Sequence, residues 1–259
     1  MNFVTVDGVR LAYRVDGAED APPLVLINAL GTNCAMWDSQ VMALRRDLRL
    51  IRYDVRGHGQ SGIGDAPLTV ARLAGDLLAL LDHLGIARAH LCGLSLGGMI
   101  AQSLAIAHPG RVARAVFANT AARIGSVESW DARIALVRQG GLAAVREMVL
   151  GRLFTARFRL GHPQIAENYG AMLEANDPLG YITACAALRD ADLRPMVSAI
   201  RAPSLVIAGG LDEATPPHQA EELRAAIDGC ELVVLPEAGH LSNIEQPDAF
   251  SAELLRFLL

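Results

Sequence analysis

His90-Leu91-Cys92-Gly93-Leu94-Ser95-Leu96-Gly97-Gly98-Met99-Ile100 decides how the rest of this chain is to be read. Its first half is a short apolar run, and its second opens a small-residue helical pattern that continues to His108. A Gly-x-Ser-x-Gly between strand and helix sets the serine on a tight turn with its hydroxyl lifted above the sheet. Glycines two positions either side remove the Cβ atoms that would collide where strand and helix converge. A helix beginning at Ser95 also turns its free N–H groups and positive end toward any oxyanion formed there. The pattern marks Ser95 as a candidate nucleophile rather than a chance loop serine.

Outward from this stretch, short strands alternate with helical segments. Residues 2–6 and 9–14 alternate around Asp7-Gly8 and predict an antiparallel hairpin. Leu24–Ile27 is continuously apolar, as in a strand buried on both faces, and Arg49–Tyr53 and Arg114–Ala118 are further strands. Leu68–Leu84 has helical periodicity. From 122 to 198 only helical patterns occur, around 127–139, 142–150, 164–174 and 179–188. Alternation resumes with a strand at 204–208, a helix at 218–227, a strand at 231–235 and a last helix opened by Pro247. The expectation is an α/β chain: a mostly parallel, doubly wound sheet built from 1–121 and 199–259, with an all-helical cap inserted at 122–198.

Composition narrows the chemistry. With 259 residues, 52% of them hydrophobic, the chain can bury a substantial core. A net charge of −5 offers no basic stripe for nucleic acid. All 23 basic residues are arginine, so Schiff-base, pyridoxal-phosphate and P-loop chemistry, which need a lysine amine, are excluded. Cys34, Cys92, Cys185 and Cys230 form no C-x-x-C pair and the histidines show no metal-ligand spacing, so no metal or organic cofactor is expected. Scattered cysteines and the lack of a leader-like or membrane-spanning run favour a cytoplasmic protein with no membrane partner. The segment 122–198 holds nine arginines against eight acids, leaving the remainder strongly acidic; a mildly basic cap over an acidic base suits a small anionic substrate.

A serine hydroxyl needs a positioned base, itself oriented by a carboxylate. On a scaffold of this kind the order is serine, acid, histidine. His240 in Pro236-Glu237-Ala238-Gly239-His240 follows the 231–235 strand and is the candidate base. Asp212 follows the 204–208 strand and is the candidate acid; Glu213 competes, but one position along its side chain points elsewhere. The alternative acid position, after 114–118, holds Asn119, which cannot carry the charge. The backbone N–H groups of Leu96 and Leu30 are the candidate oxyanion donors, although Asn28-Ala29 stands where His-Gly is usual. Arg56-Gly57-His58-Gly59-Gln60-Ser61 follows a strand with no nucleophile nearby and is read as a structural loop.

These features together resemble the α/β-hydrolase superfamily over almost the whole chain. Longer strings are similar to the 3-oxoadipate enol-lactonases: Asn28-Ala29-Leu30-Gly31-Thr32 with Met36-Trp37-Asp38, Asn119 to Gly125, Trp130 to Ile134, Cys185 to Arg194, and His240 to Pro247. The Asn-Ala departure is itself similar to that family's usual form. The resemblance implies a cytoplasmic enzyme of bacterial aromatic catabolism, in the β-ketoadipate pathway, that hydrolyses 3-oxoadipate enol-lactone to 3-oxoadipate. Such a substrate keeps a free carboxylate. Arg133, beside Trp130, is the expected cation for it, with Arg189 as the alternative, although Arg189-Asp190-Ala191-Asp192 reads equally as a structural ion-pair cluster. The same scaffold hosts general carboxylesterases, carbon–carbon bond hydrolases and non-catalytic small-ligand receptors, so the residues alone leave those readings open.

Overall fold

The computed structural model describes residues 1–259. Eight strands form one sheet in the order β1-β2-β4-β3-β5-β6-β7-β8. They are β1 (Asn2–Val6), β2 (Val9–Asp16), β3 (Pro23–Ile27), β4 (Arg49–Tyr53), β5 (Ala89–Leu94), β6 (Val112–Ala118), β7 (Ser204–Gly209) and β8 (Glu231–Leu235). The hairpin β1–β2 is antiparallel and joins β4 antiparallel; every pairing from β4 onward is parallel. The central strands are shielded on both faces, as their apolar runs require: Leu24 through Ile27 have no exposed surface.

Between β3 and β6 lie α1 (Asp38–Leu44), α2 (Val70–His83) and α3 (Leu96–Ala107). Five helices then separate β6 from β7: α4 (Val127–Gly140), α5 (Arg146–Leu153), α6 (Ala156–Gly161), α7 (Pro163–Glu174) and α8 (Pro178–Asp190). The chain closes with α9 (Pro217–Ala226), α10 (Ser242–Glu245) and α11 (Pro247–Leu258). Helices pack in pairs over the sheet, α2 on α3 and α1 on α11. Trp37 and Phe250 meet at the latter contact with ring centroids 6.1 Å apart. One continuous apolar core reaches from Val4 to Leu258. No helix is long and apolar enough to cross a membrane.

Three helices carry no periodic signal in the sequence, among them the four-residue α10. α1 has seven residues, too few to display a face. α6 buries none of its residues. It forms because Thr155 caps it, accepting from the Phe158 N–H, and because Phe158 stacks on Phe154 at 5.2 Å. Helix α3 starts at Leu96, one residue later than the sequence pattern predicts, because Ser95 is its cap and not its first turn.

The parallel arrangement brings the ends of β3, β5, β6, β7 and β8 to one edge of the sheet. Asn28, Ser95, Asn119, Asp212 and His240 all follow those ends. Crevices at the carboxyl ends of parallel strands are where such sheets bind ligands.

Candidate active site

Ser95 sits at φ +57° and ψ −115°, a conformation that L-residues rarely hold and that the surroundings must impose. Its N–H donates to Ala118 O at 3.0 Å, and its carbonyl accepts from the Thr120 hydroxyl at 2.8 Å. The flanking glycines are steric necessities. A Cβ on Gly93 would lie 2.0 Å from the Gly97 carbonyl oxygen, and one on Gly97 would lie 2.2 Å from that of Ile27. Strand, helix and the neighbouring strand β3 can therefore converge on Ser95 only with hydrogen at both positions.

The acid and base are bound to each other. His240 Nδ1–H donates to Asp212 Oδ2 at 2.8 Å; a carboxylate can only accept, so Nδ1 carries the proton and Nε2 is the free basic nitrogen. Asp212 also accepts from Asn119 Nδ2 (2.9 Å), the Thr215 hydroxyl (2.7 Å) and the N–H groups of Ala214 (2.8 Å) and Thr215 (2.9 Å). Burial by itself would raise the Asp212 carboxyl. The His240 imidazole and these donors outweigh it and hold the group at about 2. Glu213 makes none of these contacts and is exposed.

Asn119, the residue that excludes a carboxylate from the alternative acid position, instead serves the one at 212. It is buried at φ +44°, donates to Asp212 and to Gly239 O (3.1 Å), and accepts from the Ser242 hydroxyl. Nothing in the sequence signals this bond, because it joins residues 93 positions apart.

Ser95 and His240 line one cavity with Ala29, Leu30, Trp130 and Arg133. The N–H groups of Leu30 and Leu96 donate to no protein group. The loop bearing Leu30 is fixed from behind. Asn28 Nδ2 donates to Thr32 O at 2.8 Å, Asn28 Oδ1 accepts from the Val55 N–H at 3.3 Å, and the Ala29 N–H meets the Met36 sulfur at 3.3 Å. Asn28 thus braces the loop that carries Leu30.

The helical segment supplies the far wall. Trp130 Nε1 donates to Ile124 O at 2.7 Å, which fixes the indole, and the Arg133 guanidinium lies 4.8 Å from its ring centroid. Three arginines are buried in this protein. Arg52 is neutralised by Asp16 and Asp38, and Arg56 by Asp76. Arg133 has no carboxylate partner, and it faces the cavity. The hydroxyl of Tyr181, a wholly buried side chain on the same wall, has no hydrogen-bond partner either.

Arg189 does not share this site, which corrects the expectation that it could serve there. Its guanidinium pairs at the surface with Asp131 (2.8 Å) and Asp190 (2.7 Å), while its helical neighbour Leu188 lines the cavity. On α8 the turn of the helix carries Arg189 away from the cavity that Leu188 faces. Arg152 and Tyr181, which the sequence reading missed, both border the cavity. Neither belongs to a motif. The loop 56–61 is occupied internally: Arg56 holds Asp76, and Ser61 bridges Ala12 N–H and Asp54 O.

A strained serine at a helix start, an Asp–His pair beside it and two free N–H donors are the parts of an acyl-transfer centre. The chain belongs to the α/β-hydrolase fold family, whose sequence profile matches residues 22–247. It is 41% identical to the 3-oxoadipate enol-lactonase 2 of Acinetobacter baylyi, over 96% of this chain and 92% of that one. The solved enol-lactonase of Burkholderia xenovorans is 44% identical, covers 99% of both chains and superposes with a TM-score of 0.97. A thermophilic esterase from Thermogutta terrifontis, 29% identical over all of this chain and 98% of that one, superposes with a TM-score of 0.93.

Proposed function

We propose that this protein is a serine hydrolase that opens 3-oxoadipate enol-lactone to 3-oxoadipate, in the cytoplasmic breakdown of aromatic compounds. The observation that carries the substrate assignment is Arg133: a buried cation without a carboxylate, in the same cavity as Ser95 and His240. A buried, unpaired charge is costly unless a ligand completes it. A general esterase acting on neutral substrates would have no use for it.

In this reading Ser95 Oγ attacks the lactone carbonyl while His240 Nε2 accepts its proton. The tetrahedral oxyanion is held by the N–H groups of Leu30 and Leu96. Asp212 keeps the imidazole in the required tautomer and stabilises the imidazolium that forms. Collapse of the intermediate expels an enolate, a good leaving group, which takes up the proton held by His240 and becomes a ketone, returning the imidazole to its neutral form. His240 then activates water to release the acyl group as a carboxylate. The residues 122–198 act as a cap that supplies Trp130 and Arg133 above the nucleophile, and no metal or organic cofactor takes part.

The test follows lactone opening and p-nitrophenyl acetate hydrolysis side by side. Rapid lactone opening that is lost in Ser95→Ala is expected, with feeble ester cleavage. Arg133→Ala is expected to lose roughly 2 kcal/mol or more of transition-state stabilisation on the lactone, mostly through KM, with little change on the neutral ester. An inert lactone beside good ester turnover would leave a general carboxylesterase in its place.

A further inference from the structure

Arg152, on α5, borders two spaces at once. It lines the inner cavity with Ser95 and His240, and it lines an outer cleft with Thr155, Arg157, Arg159 and Glu213. No other residue is common to both. The wall between them is one residue thick at three places, where Leu153 and Phe154, Ala214 and Glu213, and His240 and Gly239 fall on opposite sides.

The other cations of the cleft are already engaged. Arg157 is held by Glu237, and Arg159 lies 3.9 Å from Glu147. Arg152 forms no ion pair; Glu213 is the one acid whose charge reaches it. Its side chain is exposed, and its guanidinium is lowered below the ordinary value by partial desolvation and then by the nearby charge of Arg133. Two arginines without a carboxylate partner therefore face the same small cavity, Arg133 buried and Arg152 exposed to solvent, in a protein whose net charge is −5. An anion bound between them relieves both. Hydrolysis adds to that need. A lactone carrying one carboxylate becomes a dicarboxylate, and the new charge is created at Ser95.

We propose that Arg152, at the wall shared by the cavity and the outer cleft, is a second carboxylate-binding residue of the site, taking the carboxylate of a bound ester or of a dicarboxylate product. The assignment rests on the enol-lactone reading for its substrate, but its test does not. Adipate, a saturated six-carbon dicarboxylate, and the neutral hexanamide are titrated calorimetrically into the intact protein and into Arg152→Gln, Arg152→Lys and Arg157→Gln. Arg152→Gln is expected to weaken adipate about tenfold and to leave hexanamide binding unchanged, with Arg152→Lys restoring most of the loss. Arg157→Gln, on the same cleft but paired with Glu237, is expected to shift adipate binding by no more than about twofold. On the lactone, KM rises in Arg152→Gln while kcat holds. Unaltered adipate affinity in Arg152→Gln overturns the proposal. So does an equal loss in Arg157→Gln, which would make the effect a diffuse field of the cleft. Adipate binding that depends on Arg152 in a protein inert toward the lactone upholds this site and removes only the enol-lactone reading.

Discussion

Asp212, the candidate acid, is the residue on which the proposed chemistry and the stability of this protein meet. Five donors converge on its carboxylate from three loops. Held at about 2 in the folded chain against an ordinary value near 3.8, it contributes stability when ionised. The sign follows from the lowered value: the contribution is fully present above the unfolded-state range and disappears as the pH falls through the folded value. Its size is about 2 kcal/mol. Urea unfolding of the wild type between pH 5 and pH 2 is expected to show this loss, and Asp212→Asn to show a correspondingly shallower fall. Equal slopes in the two proteins would mean that the carboxylate is not held as its donors imply. The strained positions Ser95 and Asn119, both at positive φ, flank the same network, which places backbone strain at the sheet edge that holds the candidate site.

At the scale of elements, the helical segment is joined to the histidine loop by a specific latch. The Leu241 N–H donates to Leu153 O at 2.9 Å. Glu245, on α10, accepts from the Thr155 N–H at 2.7 Å and from its hydroxyl at 3.0 Å, just where α6 begins. Burial pushes the Glu245 carboxyl up, partly offset by these donors. The latch holds the α5–α6 junction, which carries Arg152, against the loop that presents His240. Glu245→Ala leaves the Thr155 N–H without its acceptor and is expected to cost about 1–3 kcal/mol of stability. It is also expected to lower kcat, because the His240 loop loses its outer support, whereas Glu245→Gln keeps an acceptor and most of the activity. Thermal unfolding and steady-state kinetics on the two variants check this; indistinguishable kcat values in all three proteins would reduce the latch to a structural contact.

For the whole molecule, the pair Arg56–Asp76 ties the loop after β4 to α2 in a space closed to water, with each side chain no more than 2% exposed. Asp76→Asn strands a buried guanidinium and is expected to cost about 3–5 kcal/mol, measured by urea unfolding. Replacing both residues by apolar side chains of similar volume is expected to cost much less, since desolvation then burdens neither state. A double variant as damaged as the single one would show that the pair is needed for its geometry rather than its charge.

The chain's own sequence determined the sheet, the position of the long inserted helical segment and the order Ser95, Asp212, His240. These are local properties: apolar runs of strand length, 3.6-residue periodicity, and glycines whose steric role depends only on neighbours in the chain. Asn28 as a brace, Asn119 as a donor to Asp212, the pairing of Arg189 with Asp131 and the second face of Arg152 were decided by the tertiary structure alone. Each depends on which distant segments the folding of the sheet brings within hydrogen-bond distance, or on which side of a helix finally meets the core. Arg133 and Arg189 are both arginines on helices of the same segment, and the sequence ranks Arg133 first without excluding Arg189. One is buried without a partner and the other is neutralised at the surface, because α4 and α8 present different faces to the space above Ser95.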